Sequence, residues 1–192
     1  ERPRLLVFGG CNEGDSLSSL ERYDPSTNEW QGEAVAPMPT ARVEAGMAVL
    51  DGKLYTAGGH SEADGAASSS VERYDFEKKA WEAVAPMAAA RESHAVTVLD
   101  GTLYAVGGSD DDSVERYDPA TNAWEAVAPM TAARWAHGMA VLDGKLYAVG
   151  GCNHGILSLV ERYDPATNVW TAVAPMATAR HSHGVAVLDG KL

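Results

Sequence analysis

The chain has 192 residues, of which 45% are hydrophobic and 7% aromatic, with 19 glycines and 9 prolines. This composition fits a folded, turn-rich β protein and excludes a chain that is disordered throughout. The formal net charge of −12 disfavours binding to nucleic acid and to anionic membranes, because the field of the molecule repels both. No apolar run approaches the roughly 20 residues that cross a bilayer. Two cysteines are too few for a disulfide scaffold, so we expect a cytoplasmic protein.

A pair of glycines recurs along the chain at a period typical of repeat proteins. The pairs begin at Gly9, Gly58, Gly107 and Gly150, which are 49, 49 and 43 residues apart. An apolar phrase precedes each pair, complete as AVLDGKLYTAGG at 48–59 and shortened to LLVFGG at 5–10. Periods of about 40 to 50 residues are typical of propellers and related repeat architectures.

Each repeat predicts four short strands, a to d. Strands a and b flank an Asp-Gly turn, which is a strong hairpin signal. Strand c contains Glu-Arg-Tyr-Asp, and strand d contains a tryptophan seven residues after that tyrosine. The tyrosine–tryptophan pairs are Tyr23–Trp30, Tyr74–Trp81, Tyr117–Trp124 and Tyr163–Trp170. The fixed spacing predicts that these rings pack between neighbouring repeats of an all-β fold, a β-propeller with four four-stranded blades.

The phase of the repeat suggests how the propeller closes. We expect a single domain over residues 1–192, with repeats at about 1–42, 43–91, 92–134 and 135–180 and a closing strand at 181–192. The chain begins in the phase of strand b and ends in the phase of strand a. We therefore expect the C-terminal strand to complete the N-terminal blade of a closed, monomeric ring. The alternative is an open fragment of a larger propeller, whose unpaired strand edges would form a dimer.

One face of the predicted propeller varies, whereas the turns of the opposite face are nearly uniform. The variable b–c loops are residues 11–20, 60–71, 109–114 and 152–160. Loops on a rigid scaffold are the usual place for recognition. With the adjoining d–a segments this face holds all six histidines, nine acidic side chains and four arginines, Arg42, Arg91, Arg134 and Arg180. We expect its acidic balance to attract a protein or peptide partner, possibly one with a basic segment.

Trp135 breaks the repeat on this face, since Val43, Glu92 and His181 occupy the equivalent positions. Tryptophan is enriched among the residues that dominate interface energies, so Trp135 is a candidate anchor for a partner. Packing of Trp135 onto the adjacent loop is the alternative.

The sequence gives less support to an enzymatic function than to protein binding. His94, His137 and His183 share one repeat position, and propeller symmetry could place them around a divalent metal, as in a metal-dependent enzyme. The alternative is that the propeller holds these three imidazoles too far apart to bind one metal ion. Cys152-Asn153-His154 lacks the orienting carboxylate that an activated nucleophile needs. We therefore predict neither an enzyme nor a cofactor.

The glycine pair, the tyrosine and the tryptophan, in this order and spacing, resemble the Kelch repeat over Arg2–Leu192. The phrases RYDPATNAW (116–124) and LYAVGG (146–151) are most similar to the Kelch domains of BTB-Kelch substrate adaptors of cullin-based ubiquitin ligases. The resemblance implies a propeller that binds a partner protein, in such adaptors the substrate for ubiquitin ligation. Two features depart from it: those domains usually have six blades, and neither a BTB nor a BACK domain is present.

The resemblance also implies which positions line the binding pocket. They are the residues after each glycine pair, Cys11, His60, Ser109 and Cys152, and the second residues after the arginines, Glu44, Ser93, Ala136 and Ser182. Our predicted partner-binding site adds Asn12, Glu92, Trp135, Asn153 and His181. A structural or engineered repeat scaffold without a natural ligand is the alternative, suggested by the identical phrase YDPATN at 117–122 and 163–168.

Overall fold

A computed structural model of the chain describes residues 5–13, 15–32, 36–61, 65–109 and 111–190. All regular elements in these residues are β-strands, as the sequence predicts. They form three four-stranded sheets, one three-stranded sheet and two short hairpins. The described residues contain no helix with the length and apolar character needed to cross a bilayer.

The first sheet, blade 1, has three strands in the order β1-β4-β5. The strands of this part of the chain are β1 (Leu5–Phe8), β2 (Cys11–Asn12), β3 (Asp15–Ser16), β4 (Leu20–Asp24) and β5 (Glu29–Gln31). Strands β2 and β3 form a separate hairpin in the loop that joins β1 to β4. Blade 1 therefore consists of strands b, c and d of the predicted repeat.

Blade 2 is a complete antiparallel sheet in the order β11-β10-β7-β6. Its part of the chain contains β6 (Gly46–Leu50), β7 (Lys53–Ala57), β8 (His60–Ser61), β9 (Ala66–Ala67), β10 (Val71–Asp75) and β11 (Ala80–Val84). Strands β8 and β9 pair with each other in the b–c loop.

Blades 3 and 4 repeat the same four-stranded pattern in chain order. Blade 3 contains β12 (Ala95–Leu99), β13 (Thr102–Val106), β14 (Val114–Asp118) and β15 (Ala123–Val127). Blade 4 contains β16 (Gly138–Leu142), β17 (Lys145–Val149), β18 (Val160–Asp164) and β19 (Val169–Val173). The first strands of successive blades contact each other, β6 with β12 and β12 with β16, as expected for blades around a common axis.

Local turn chemistry explains the strand order within each blade. Asp143 and Gly144 have φ values of 50° and 68°, and this left-handed pair joins β16 to β17 as a type I′ hairpin turn. In the c–d turn, the Asp118 carboxylate accepts a hydrogen bond from the Ala120 N–H at 2.8 Å. Such a bond favours reversal of the chain.

Aromatic side chains join one blade to the next. Trp124 Nε1 donates to the Ala85 carbonyl of the preceding blade at 2.9 Å, and Trp170 Nε1 donates to Ala128 at 3.0 Å. One buried cluster unites blades 3 and 4 and includes Tyr104, Val106, Val114, Met130, Leu146, Ala148, Tyr163 and Trp170. The prediction that the repeated tyrosines and tryptophans pack between blades is confirmed for blades 2 to 4. Trp30 of blade 1 is 47% exposed and does not show this packing.

The two ends of the array do not meet within the residues that the structure describes. Among these residues no strand a lies beside the free edge of β1, which pairs with β4 alone. Leu5 and Val7 on β1 are 56% and 53% exposed. Completion of blade 1 by the C-terminal strand of the same chain therefore stays a prediction.

Candidate functional site

The predicted pocket positions in the d–a segments form a continuous belt of backbone hydrogen bonds. The belt residues are Glu44, Ser93, Ala136 and Ser182. Ser93 N–H donates to the Glu44 carbonyl at 3.1 Å, Ala136 N–H to Ser93 at 2.9 Å, and Ser182 N–H to Ala136 at 2.8 Å. Their φ values lie between 49° and 56°, in the left-handed region that these residue types seldom adopt. The belt holds this backbone in place because each residue bonds to its counterpart in the next repeat.

A second set of backbone bonds fixes the start of each variable loop beside the belt. His60 exchanges two hydrogen bonds with Val43, at 2.8 and 3.0 Å, and Cys152 exchanges two with Trp135, at 2.9 and 3.0 Å. Ser109 N–H donates to the Glu92 carbonyl at 3.3 Å. The residue after a glycine pair therefore lies against the residue after an arginine of the preceding repeat.

These bonds bring five of the predicted residues into one group, which we call the acidic cluster: Glu44, His60, Glu92, Ser93 and Ser109. His60 Nδ1 lies 3.0 Å from Glu92 Oε2, and the Ser109 hydroxyl donates to Glu92 Oε1 at 3.4 Å. The Ser93 hydroxyl donates to Glu44 Oε2. Glu44 is exposed, and the side chains of His60 and Glu92 are 33% and 29% exposed. The cluster presents two carboxylates to solvent, held by hydroxyl and imidazole groups.

Trp135 lies one repeat further along the belt, in a group that we call the Trp135 patch: Trp135, Cys152, Ile156 and His181. The rings of Trp135 and His181 have centroids 6.2 Å apart at 53°. Cys152 also forms a bridge with Ile156, whose side chain is 55% exposed. Trp135 is half-buried, so it both packs on its neighbours and offers part of its surface to a partner.

The remaining predicted site residues contribute less to these two groups. Cys11 and Asn12 are exposed on the β2–β3 hairpin, where they pair with Ser16 and Asp15. Asn153 supports its own loop, since its side-chain oxygen accepts from the Gly155 N–H at 3.2 Å. Ser182 accompanies His181, with its hydroxyl 3.0 Å from the His181 Nδ1.

Three of the four arginines assigned to this face are interior, and their placement on its surface was wrong. Arg42, Arg91 and Arg134 are 2%, 2% and 0% exposed. Each donates to the carbonyl of the first glycine of the next pair, at 2.7, 2.7 and 3.0 Å. Each also pairs with the glutamate of strand c in the next blade, in Arg42–Glu72, Arg91–Glu115 and Arg134–Glu161. The exposed surface of the variable face therefore carries a more negative charge than the count of its acidic residues and arginines in the sequence indicated.

Sequence reasoning missed these ion pairs, although a signal was present. Arginine and glutamate recur at fixed positions in every repeat, and a repeated buried position can hold a charge only where a partner of opposite sign repeats with it. Burial lowers the pKa of Arg42 and raises the pKa of Glu72, while their mutual attraction opposes both shifts.

The prediction that all six histidines lie on the variable face is also wrong. His94 and His137 are each 8% exposed and lie between blades. The His94 ring occupies the space beside Gly46 and Gly58, where an added Cβ would come within 2.9 and 2.8 Å of it. Burial, with the neighbouring arginine, lowers the pKa of each imidazole from 6.5 to about 3.

His183 is half-buried, and burial lowers its pKa as well. Across the described ranges, no group of three or more His, Cys, Asp or Glu side chains is arranged to hold a metal ion. The proposed metal position at His94, His137 and His183 is a packing position instead, because the imidazoles fill gaps between strands of adjacent blades.

Family models match most of the chain. A model described as the KLHDC2/KLHL20/DRC7 Kelch-repeats domain matches residues 1–151, and a model of the Kelch motif matches residues 134–177. The repeat is therefore recognised by two independent models that together extend from the first residue to strand d of blade 4.

Individual relatives are similar over shorter segments. Human Kelch-like protein 23 is 36% identical over 72 residues, which are 38% of this chain and 12% of that protein. Kelch-like protein 36 of Bos taurus is 38% identical over 82 residues, covering 38% of this chain and 13% of the relative. The influenza virus NS1A-binding protein homolog of Mus musculus is 45% identical over 56 residues, 29% of this chain and 8% of that protein. The matched segments thus span about an eighth or less of these relatives.

A solved structure supports the fold independently of sequence. The structure of YjhT superposes with a TM-score of 0.73 at 17% identity and covers 91% of this chain. This chain spans 66% of that one.

Proposed function

We propose, from the premise that the chain belongs to the Kelch-repeat family, that it is a protein-interaction module whose variable face binds a basic segment of a partner protein. The observation that carries this proposal is the adjacency of the acidic cluster and the Trp135 patch on one belt. Binding, rather than catalysis, is the activity that this arrangement suits.

The chemistry of the two groups defines the ligand. Glu44 and Glu92 present carboxylates that are positioned by Ser93 and His60, so a lysine or arginine of the partner gains a charge-assisted hydrogen bond without ordering them first. Trp135 and Ile156 supply apolar surface one repeat away. A short peptide that carries a basic residue followed or preceded by an apolar residue fits both groups. The net charge of −12 also accelerates its encounter with the face.

An array of basic peptides, followed by titration of a fluorescein-labelled peptide selected from it, tests this site. We expect Trp135→Ala and Glu92→Gln each to raise the Kd about tenfold, since each removes an anchor at the centre of the site. Glu77→Gln, which neutralises an exposed carboxylate in the turn after β10, is the matched control and leaves the Kd unchanged. Selection of acidic peptides, or equal Kd values for all four proteins, would contradict the proposal.

The more specific role that we propose is that of a substrate receptor for cullin-based ubiquitin ligation in the cytoplasm. Its support is the similarity to two Kelch-like proteins and the resemblance of the repeat phrases to those of BTB-Kelch adaptors. The two free cysteines, Cys11 and Cys152, are compatible with a reducing compartment. Fusion of the chain to a BTB-BACK segment should give ubiquitination of a protein bearing the selected peptide, and Trp135→Ala should abolish it.

A further inference from the structure

His94 and His137 are buried imidazoles whose ring nitrogens have no hydrogen-bond partner. Each side chain is 8% exposed. Within the part of the chain that the structure describes, neither Nδ1 nor Nε2 of either ring forms a hydrogen bond. A neutral imidazole has one N–H donor, whereas a protonated imidazole has two. Protonation in this position would therefore bury a charge and a second donor without an acceptor for either.

The two rings fill equivalent spaces between adjacent blades. A Cβ added to Gly46 of blade 2 would lie 2.9 Å from His94 Nε2, and one added to Gly58 would lie 2.8 Å from His94 Cε1. A Cβ added to Gly107 of blade 3 would lie 3.1 Å from His137 Cε1. Each ring therefore packs where a glycine of the preceding blade leaves space for it, and it is held there by shape rather than by hydrogen bonds.

The titratable and charged groups that face these rings are all cationic or become so in acid. Arg91 acts on His94, and Arg134 acts on His137, which also has His94 and His183 as neighbours. Among the described side chains, no carboxylate forms an ion pair with either ring. Burial, together with these neighbours, lowers the pKa of both imidazoles to about 3. Either ring can take up a proton at lower cost if it first leaves the space between the blades.

The backbone connects each ring directly to a residue of the belt. Ser93 precedes His94, and Ala136 precedes His137. Ser93 N–H donates to the Glu44 carbonyl, and Ala136 N–H donates to the Ser93 carbonyl. The Ser93 hydroxyl also donates to the Glu44 carboxylate, which belongs to the acidic cluster. Movement of a ring out of its space would turn the adjacent peptide and break these bonds.

We propose that His94 and His137 form a pH-sensitive switch that opens the belt and separates the acidic cluster in acid. At neutral pH both rings are uncharged and the belt is closed. In acid, a ring nitrogen binds a proton from solvent as the ring leaves the space between the blades, so Ser93 moves away from Glu44. The consequence, release of a basic partner, rests on the proposed function. The opening of the belt itself requires no partner.

Amide hydrogen exchange, measured by NMR as protection factors, detects this opening without a partner. From about pH 7 to about pH 4.5, we expect the protection of the Ser93 and Ala136 amides to fall on the order of a hundredfold. The sign follows from the pKa, which is 6.5 for the released imidazole and about 3 for the packed one, so acid favours the open form. Amides of the central strand β13 should remain better protected than those of the belt, because local opening costs less than unfolding.

Variants separate the contributions of the two histidines. His94→Ala, which introduces the residue type found at the equivalent position 45, should remove most of the pH dependence at Ser93 and leave that at Ala136. His137→Ala should have the opposite effect. His154→Ala is the matched control, at an exposed histidine in the b–c loop of blade 4, and should change neither amide. Far-UV circular dichroism at neutral pH checks that each variant is folded.

Three exchange results would overturn the proposal. They are equal protection of the belt amides at both pH values, belt amides protected as strongly as those of β13 in acid, and wild-type pH dependence at Ser93 in His94→Ala. The Kd of the selected basic peptide is measured separately at both pH values. A peptide that fails to bind at neutral pH would contradict the proposed function and leave the exchange test of the switch intact. Equal release in acid by the wild type and by the double variant His94→Ala/His137→Ala would overturn the coupling of the switch to the cluster.

Discussion

Arg91 of one blade and Glu115 of the next form a buried ion pair, with Nη2 and Oε1 2.9 Å apart and side chains 1% and 4% exposed. The Glu115 carboxylate also accepts from the Ala88 and Ala89 N–H groups, at 2.7 and 3.1 Å. Glu115, like Glu161 with Thr131, thus ties the start of the d–a segment in the preceding blade to strand c of its own blade. The ion pair therefore connects two adjacent blades and is not part of the binding surface.

Removal of one partner of this pair should be costly. We expect Glu115→Ala to lower the free energy of unfolding by about 2 to 4 kcal/mol, because it leaves the buried Arg91 guanidinium with only the part-exposed Asp111 carboxylate, 2.9 Å away, as its counter-ion. Arg91→Met combined with Glu115→Leu should restore much of that loss, since an apolar pair of similar size has no charge to desolvate. Urea denaturation measures both variants.

The exposed pair Arg116–Glu125 supplies the comparison. Its side chains are 42% and 59% exposed, so Glu125→Ala should cost less than about 1 kcal/mol. A Glu115→Ala variant as stable as Glu125→Ala would show that the buried pair contributes nothing to cohesion between blades.

The tryptophans of strand d should stabilise the array according to their burial. Trp170 is 5% exposed and donates to the preceding blade, so Trp170→Ala should cost about 3 to 5 kcal/mol through the cavity and the lost hydrogen bond. Trp30, at 47% exposed, is the same residue type in the same repeat position. Trp30→Ala should therefore cost only about 1 kcal/mol. Equal losses in guanidinium denaturation would contradict the assignment of these rings to packing between blades.

Acid should destabilise the fold through its buried imidazoles. His94 and His137 have pKa values lowered to about 3 in the folded chain, compared with 6.5 for a free side chain. A lowered pKa means that the unfolded state takes up protons first, so stability that is present above pH 6.5 is lost as the pH falls toward 3. At about pH 4.5 each histidine should remove roughly 2 to 3 kcal/mol.

The test is the difference between parent and variant across pH. The groups that face His94 and His137 include Arg91 and Arg134, which remain charged and add to the shift. Carboxylates such as Asp75, whose pKa is lowered to about 2 chiefly by its hydrogen bond with Lys53, contribute acid sensitivity to parent and variant alike. His94→Ala, which introduces the residue found at the equivalent position 45, should therefore flatten the fall in Tm between neutral and acidic buffer. If the Tm values of the parent and of His94→Ala fall equally as the pH is lowered, His94 is not buried in its neutral form.

The parts of the fold that depend on neighbours in the chain were predictable from the sequence. Asp143-Gly144 specifies its turn by backbone preference alone, and the structure has the hairpin there. The seven-residue interval from Tyr163 to Trp170 places the two side chains opposite each other across a c–d hairpin, and their Cα positions are paired in the ladder. Short-range stereochemistry decides both cases.

The parts that depend on an adjacent blade were not predictable in the same way. Arg91 and His94 are polar residues in a d–a segment, and a single repeat offers no reason to bury either of them. Their burial results from the next blade, which supplies Glu115 to the arginine, and from the glycines at 46 and 58, which leave room for the imidazole. Of the predicted site residues, Glu44, His60 and Glu92 do lie together because the belt and the loop bridges join their backbones.

The double hydrogen bond between Trp135 and Cys152 has a consequence for how such a protein can acquire new partners. It anchors the first residue of the b–c loop to the d–a segment that leads into the same blade, as the bonds between Val43 and His60 do in blade 2. A loop that begins at a fixed point can be lengthened at a cost of only about 0.6 kcal/mol for each doubling of its length. Whole loops can therefore be exchanged between repeats, or between relatives, without redesign of the blades. Specificity in this architecture can change by transplantation of a segment, while the ion pairs and tryptophans beneath it stay as they are.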